Sequence, residues 1–207
     1  MSSPAPRTPR FLVAALAIAA LGVALLLGGR MLLSHGPAVR GAAGVPVAGG
    51  DFVLAGAKGP WRLSREAAGR SLVLLYFGFV RCPDMCPATL ARLASALRGL
   101  SPAERDKVLV LFVSVDHRSD TPLDAARLAS RFGESFVGVS GDSAALERVV
   151  RRYDAAFAFT PLPGSAMGYT VDHSADVFLL RPSGEVLARV RLEGRKVDLG
   201  RLLRRFL

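Results

Sequence analysis

The chain has only two cysteines, three histidines and one tryptophan in 207 residues, and aromatic side chains make up 7% of it. Two cysteines exclude a disulfide-dense scaffold, and they are too few for an iron–sulfur cluster, which wants about four. After residues 11–29 no second long uncharged apolar run occurs, which excludes a polytopic membrane protein. Lys and Arg outnumber Asp and Glu by 27 to 17, but the cations are scattered. Without a basic block carrying interleaved aromatics, nucleic acid is not expected as a partner. Disorder is excluded too, because 51% of the residues are hydrophobic.

What is present begins with residues 11–29 (FLVAALAIAALGVALLLGG), a run with no charge. As a helix it rises about 28 Å, enough for a hydrocarbon core of about 30 Å. Arg7 and Arg10 precede it and Arg30 follows it. That bias predicts a membrane anchor over residues 1–30, with the N-terminus cytoplasmic and the remainder across the inner membrane, on the periplasmic side. A cleaved signal peptide is the competing reading, but no small-x-small site directly follows the run. Residues 31–50, rich in Gly, Ala, Pro and Val, read as a flexible tether, and residues 51–207 as one globular domain. An oxidising compartment would permit the cysteines to pair.

Within the domain, strand-like and helix-like stretches alternate. Residues 71–80 (SLVLLYFGFV) and 107–115 (KVLVLFVSV) are continuous β-rich apolar runs, expected of strands buried on both faces. Shorter strands are predicted at 51–54, 61–63 and 136–139, and a hairpin at 177–180 and 186–191 around the turn RPSG. Helices are predicted at 87–100, closed by Gly99, and at 122–132, with Thr121 as N-cap and Pro122 in the first turn. Two more are expected at 142–153 and 197–206. The order predicts an α/β fold, a central mixed sheet with helices on both faces. Residues 160–168 read as a Pro/Gly-rich loop.

The chemistry-bearing signal is Cys82-Pro-Asp-Met-Cys86-Pro87, directly after a buried strand and opening a helix. Cysteines spaced four apart there can turn both sulfurs to one side of the first turn, where they could meet as a disulfide or grip one metal ion. Unpaired N–H groups at a helix N-terminus favour thiolate over thiol. His173, beside a predicted core strand, could reach the same rim of the sheet. Two sulfurs and an imidazole form a soft three-donor set that suits copper, since a structural zinc site wants a fourth ligand. An open catalytic zinc site would have only Asp84 and Asp172 as local carboxylates. His117, Met85 and Met167 are weaker ligand candidates, better read as surface or packing residues. His35 reads as juxtamembrane polar surface.

At Tyr76-Phe-Gly-Phe-Val-Arg-Cys82-Pro-Asp-Met-Cys86-Pro87, at Asp116 to Pro122 and at Val171-Asp-His173-Ser, the chain resembles the Sco/SenC family, thioredoxin-like copper proteins of cytochrome c oxidase assembly. It departs from the family pattern at Val80, His117 and Ser119. The resemblance implies a thioredoxin-like fold, copper bound by Cys82, Cys86 and His173, and delivery to the dinuclear copper centre of oxidase subunit II. Other copper chaperones and thioredoxin-like reductases are further partners it admits. The alternative is a thiol–disulfide oxidoreductase that keeps the oxidase cysteines reduced, with Cys82 attacking and Cys86 resolving. His173 separates the two readings, because only the copper carrier needs it.

Overall fold

Seven consecutive large apolar residues can be buried on both sides only if a strand lies in the middle of a sheet with layers above and below. The computed structural model, which describes residues 49–193 and 197–207, places two such strands side by side at its centre. These are β3 (Leu72–Gly78) and β4 (Val108–Ser114), every residue of both being buried. They pair in parallel from Leu72 opposite Val108 to Gly78 opposite Ser114. β5 (Phe136–Val139) adds a parallel strand outside β4. On the other side, β8 (Asp176–Leu180) and β9 (Val186–Arg191) add antiparallel strands, giving the order β5-β4-β3-β8-β9. The sheet is mixed, as expected.

Two crossovers that step the same way across a parallel sheet put their helices on one face. The first carries α2 (Met85–Arg98) and the short α3 (Pro102–Arg105); the second carries α4 (Pro122–Ser130). The contact between α4 and the sheet explains Gly138, where a Cβ would lie 2.0 Å from the Ala125 carbonyl oxygen. α5 (Ser143–Arg152) serves the opposite face: Tyr153, which ends it, packs on Phe77 and Phe178. α6 (Leu199–Arg204) returns to the first face, where Arg204 donates to the Gly99 carbonyl at the end of α2. Thr121 and Asp124 form a capping box on α4, with Pro122 in its first turn.

A small antiparallel pair, β1 (Val53–Gly56) and β2 (Gly59–Arg62), leads into the one-turn α1 (Leu63–Glu66). Residues 49 and 50, read from sequence as the end of the tether, are fastened to the body. Gly50 donates to the Gly184 carbonyl, and Tyr153 donates to the Gly50 carbonyl.

The reading of residues 160–168 as a plain loop needs correction. Strands β6 (Phe157–Pro161) and β7 (Tyr169–His173) flank it and pair with each other in a separate two-stranded sheet. Half-exposed strands outside the main sheet carry no continuous apolar run, so neither period is visible in their sequence. The 11–29 run, most of the tether and His35 lie outside the described residues. Among the described residues, no helix is long and apolar enough to cross a membrane.

Candidate metal centre

The parallel strand β3 ends at Gly78, and the chain turns through Phe79–Cys82 into α2. A Cβ on Gly78 would lie 2.7 Å from the Cys86 sulfur and 2.9 Å from the Phe112 ring. The missing side chain is therefore the space the sulfur occupies. Cys86 is the second residue of α2 and fully buried, whereas Cys82, in the turn before the helix, is partly exposed. Its sulfur receives the Cys86 backbone N–H at 3.4 Å, one of the donors that a helix start leaves unpaired.

His173 arrives from the far end of the domain, as the last residue of β7. Its Nε2 lies 3.6 Å from the Cys86 sulfur, across 87 residues of sequence. Nδ1 is 3.2 Å from the Ser174 carbonyl. A carbonyl only accepts, so the ring proton belongs on Nδ1 and the Nε2 lone pair faces the sulfurs. Tyr76 and Phe79 meet the imidazole edge-to-face, with centroids 5.9 and 6.0 Å away. All three donor atoms lie within 4.8 Å of one another. Three bonds of about 2.3 Å spread evenly around one ion hold their donors about 4.0 Å apart, so an ion would draw this set together by less than about 1 Å.

The two thiols are electrostatically unlike. Cys82 is held down to about 4, chiefly by the hydrogen bond that the Cys86 thiol donates to it. Smaller contributions from the amides of Cys86 and Asp84 add to this, against a desolvation cost. Cys86 is pushed up for the reciprocal reason, its proton being held by Cys82, and then by its burial. Tyr76 points its hydroxyl at the Cys86 sulfur from 3.7 Å, and burial and that neighbour push its own ionisation up. At neutral pH the site therefore contains one thiolate, one thiol and one imidazole. Such a set can capture a soft cation, or attack a disulfide.

The structure thus brings Cys82, Cys86 and His173 together and leaves the weaker candidates elsewhere. His117 packs its ring on Phe159 and Phe157, at 5.0 and 6.4 Å. Met85 is exposed, and Met167 is packed against the core. Asp84 is the N-cap residue of α2, and Asp172 accepts from Thr160. Sequence reasoning missed Tyr76, Phe79 and Gly78. Only Gly78 left a signal: an isolated glycine in a run of large apolar residues marks a close approach.

Three kinds of similarity agree with this geometry. The SCO1/SenC family model matches residues 41–206. The SCO2-like protein of Rickettsia felis is 28% identical over 156 residues, which cover 75% of either chain. Apo Sco1 from Thermus thermophilus superposes with a TM-score of 0.68 at 35% identity, over 77% of this chain and 92% of its own. Bradyrhizobium japonicum ScoI with copper bound gives 0.65 at 31%, over 77% and 99%. The thioredoxin domain of a Bacteroides vulgatus thiol-disulfide oxidoreductase, 18% identical, covers 77% of this chain with a TM-score of 0.50 and shares the fold. The architecture is thioredoxin-like.

Proposed function

The chain belongs to the SCO1/SenC family, and from that premise we propose that it is a membrane-anchored copper metallochaperone. Its acceptor is the dinuclear copper centre of cytochrome c oxidase subunit II. The observation that carries the reading is the convergence of two sulfurs and one imidazole nitrogen within 4.8 Å. Copper bound in the Bradyrhizobium relative supports it. The anchoring and the extracytoplasmic placement rest on the charge-flanked 11–29 run.

Copper is cargo here, and the protein's residues divide the work of holding it. Cys82 is the thiolate that meets the ion first. Cys86 surrenders its proton as the ion enters, so loading releases a proton. His173 contributes the Nε2 lone pair, fixed by the Nδ1–H bond to Ser174. Three soft donors leave a low-coordinate ion open to an incoming ligand, which suits handing it over.

Anaerobic titration of the reduced chain with Cu(I) tests this, comparing wild type with His173→Ala and Cys82→Ala. One equivalent should bind to wild type, with weaker binding in both variants. Stoichiometric binding unchanged by both substitutions refutes the assignment.

One observation favours a second reading, thiol–disulfide exchange: the low Cys82 ionisation beside a protonated, buried Cys86. The Cys82 thiolate would attack a partner disulfide and release one partner thiolate. Cys86, deprotonated, would then attack the Cys82 sulfur, releasing the second partner thiolate and leaving the Cys82–Cys86 disulfide. The partner gains two electrons and this protein loses two. A reductase of this kind keeps its rate in His173→Ala, whereas a copper carrier loses affinity.

A further inference from the structure

The donor set comes from two pieces of chain. The cysteines follow β3, and His173 ends β7, which pairs with β6 and leads within three residues into β8, the antiparallel neighbour of β3. The sheet thus fixes the C-terminal end of β7, while the loop that follows β4, residues 116–120, reaches both the cysteine turn and the start of β7 through its two carboxylates. We propose that this loop is a two-carboxylate clamp that sets the distance between the sulfurs and the imidazole. Asp120 positions the cysteine turn, Asp116 positions the histidine hairpin, and Tyr169 is the hook. The inference rests on the copper reading above and deepens it.

Asp120 holds the sulfur side. Its side chain is 1% exposed. Oδ2 accepts the Val80 backbone N–H at 2.6 Å and the Ser114 hydroxyl at 2.6 Å. Val80 lies two residues before Cys82, and the intervening Arg81 donates to the Ser119 carbonyl at 3.0 Å. Ser114 is the last residue of buried β4, so the cysteine turn is tied through one carboxylate to a rigid strand end. Short bonds from a carboxylate to N–H and O–H groups are of the stronger, charge-assisted kind.

Asp116 holds the imidazole side. It is fully buried. The Tyr169 hydroxyl lies 3.1 and 3.0 Å from its two oxygens, and the Ser119 hydroxyl lies 2.6 Å from the same phenol oxygen. The amides of Arg118 and Ser119 donate to Oδ1, which orients the carboxylate. Tyr169 starts β7 and His173 ends it, so with Val171 they share one face of the strand. Val171 is 3% exposed, so that face looks into the body. The loop also grips the neighbouring strand: the Arg118 guanidinium lies 3.8 Å over the Phe159 ring, and His117 meets the same ring edge-to-face. Both halves of the donor set are thereby referred to one short segment.

Tyr169→Phe removes the hook and keeps the ring against Phe159. In reduced full-length protein, Cu(I) affinity measured by chelator competition should fall about tenfold. In the His173→Ala background the same substitution should change affinity less than twofold, because no imidazole remains to be positioned. Asp116→Asn should follow the same pattern, while Asp120→Asn should weaken binding in both backgrounds and alter Cys82 alkylation. In metal-free protein, Tyr169→Phe should lower the backbone order parameter at His173 from the rigid value of about 0.85. Equal affinity losses in the two backgrounds, or no loss in either, overturn the clamp. A wild type that binds no copper sinks the functional reading instead. The metal-free arm then still decides the clamp, since unchanged order at His173 refutes it.

Discussion

Adding one methyl group at Gly78 should disable the metal centre while leaving the fold standing. An ideal Cβ there lies 2.7 Å from the Cys86 sulfur and 2.9 Å from the Phe112 ring. Comfortable contacts begin at about 3.5 Å, so the sulfur must retreat by roughly 0.8 Å or the strand must bend. Metal–ligand distances tolerate only about 0.2 Å. The displacement is thus about four times what the coordination shell absorbs. Overpacking of a close-packed interior should cost about 1–3 kcal/mol of stability. Cu(I) affinity should fall at least about tenfold, or 1.4 kcal/mol, with an unchanged far-ultraviolet dichroism spectrum. Gly99→Ala is the control: its nearest neighbour would be 3.4 Å away and its φ of −78° suits any residue. Competition with a chromophoric chelator provides the measurement. Affinity within twofold of wild type in Gly78→Ala would show that the sulfur is not held where the reasoning puts it.

Cys82, held down to about 4 rather than 9.0, loses its proton far below neutrality, so iodoacetamide should alkylate it at a rate flat between pH 6 and 8. An ordinary thiol would climb about a hundredfold over that interval, and such a climb refutes the assigned thiolate. Phe178→Ala empties a fully buried position that packs on Phe77 and Tyr153, each at 5.9 Å. It should cost about 3–5 kcal/mol in urea unfolding. Asp176→Ala strips Arg189 and Arg191 of the carboxylate they share at 2.6 and 3.1 Å. Since Arg191 is more than half exposed and Arg189 keeps Asp154 at 3.4 Å, no buried charge is stranded and the loss should be about 1.5–2 kcal/mol. A loss under 1 kcal/mol would make that network merely decorative.

Much of the frame was readable before any coordinates. The runs at 71–80 and 107–115 announce doubly buried strands because burial on both faces removes alternation. Thr121-Pro122 and Gly99 mark helix ends through local hydrogen bonding and backbone preference. The hairpin of β6 and β7 was not readable, because its strands are half exposed and, among the described residues, pair only with each other. Pro161, the last residue of β6 and paired with Tyr169, looks in sequence like a reason against a strand. The roles of Asp120 and Asp116 were not readable either, since their partners lie 40 and 53 residues away in Val80 and Tyr169 respectively.

The linear chain alone specified two soft sulfurs four residues apart at a helix start, because spacing and helix geometry are local properties. It also put forward a distant imidazole as a donor, through the chemistry of the residue type. Only tertiary packing decided that this imidazole turns Nε2 to the sulfurs, that Cys82 carries the charge and Cys86 the proton, and that Gly78 leaves room for sulfur. Those outcomes depend on which surfaces meet when β3, β4 and the hairpin converge. Distances and desolvation between remote segments exist only once the chain has folded.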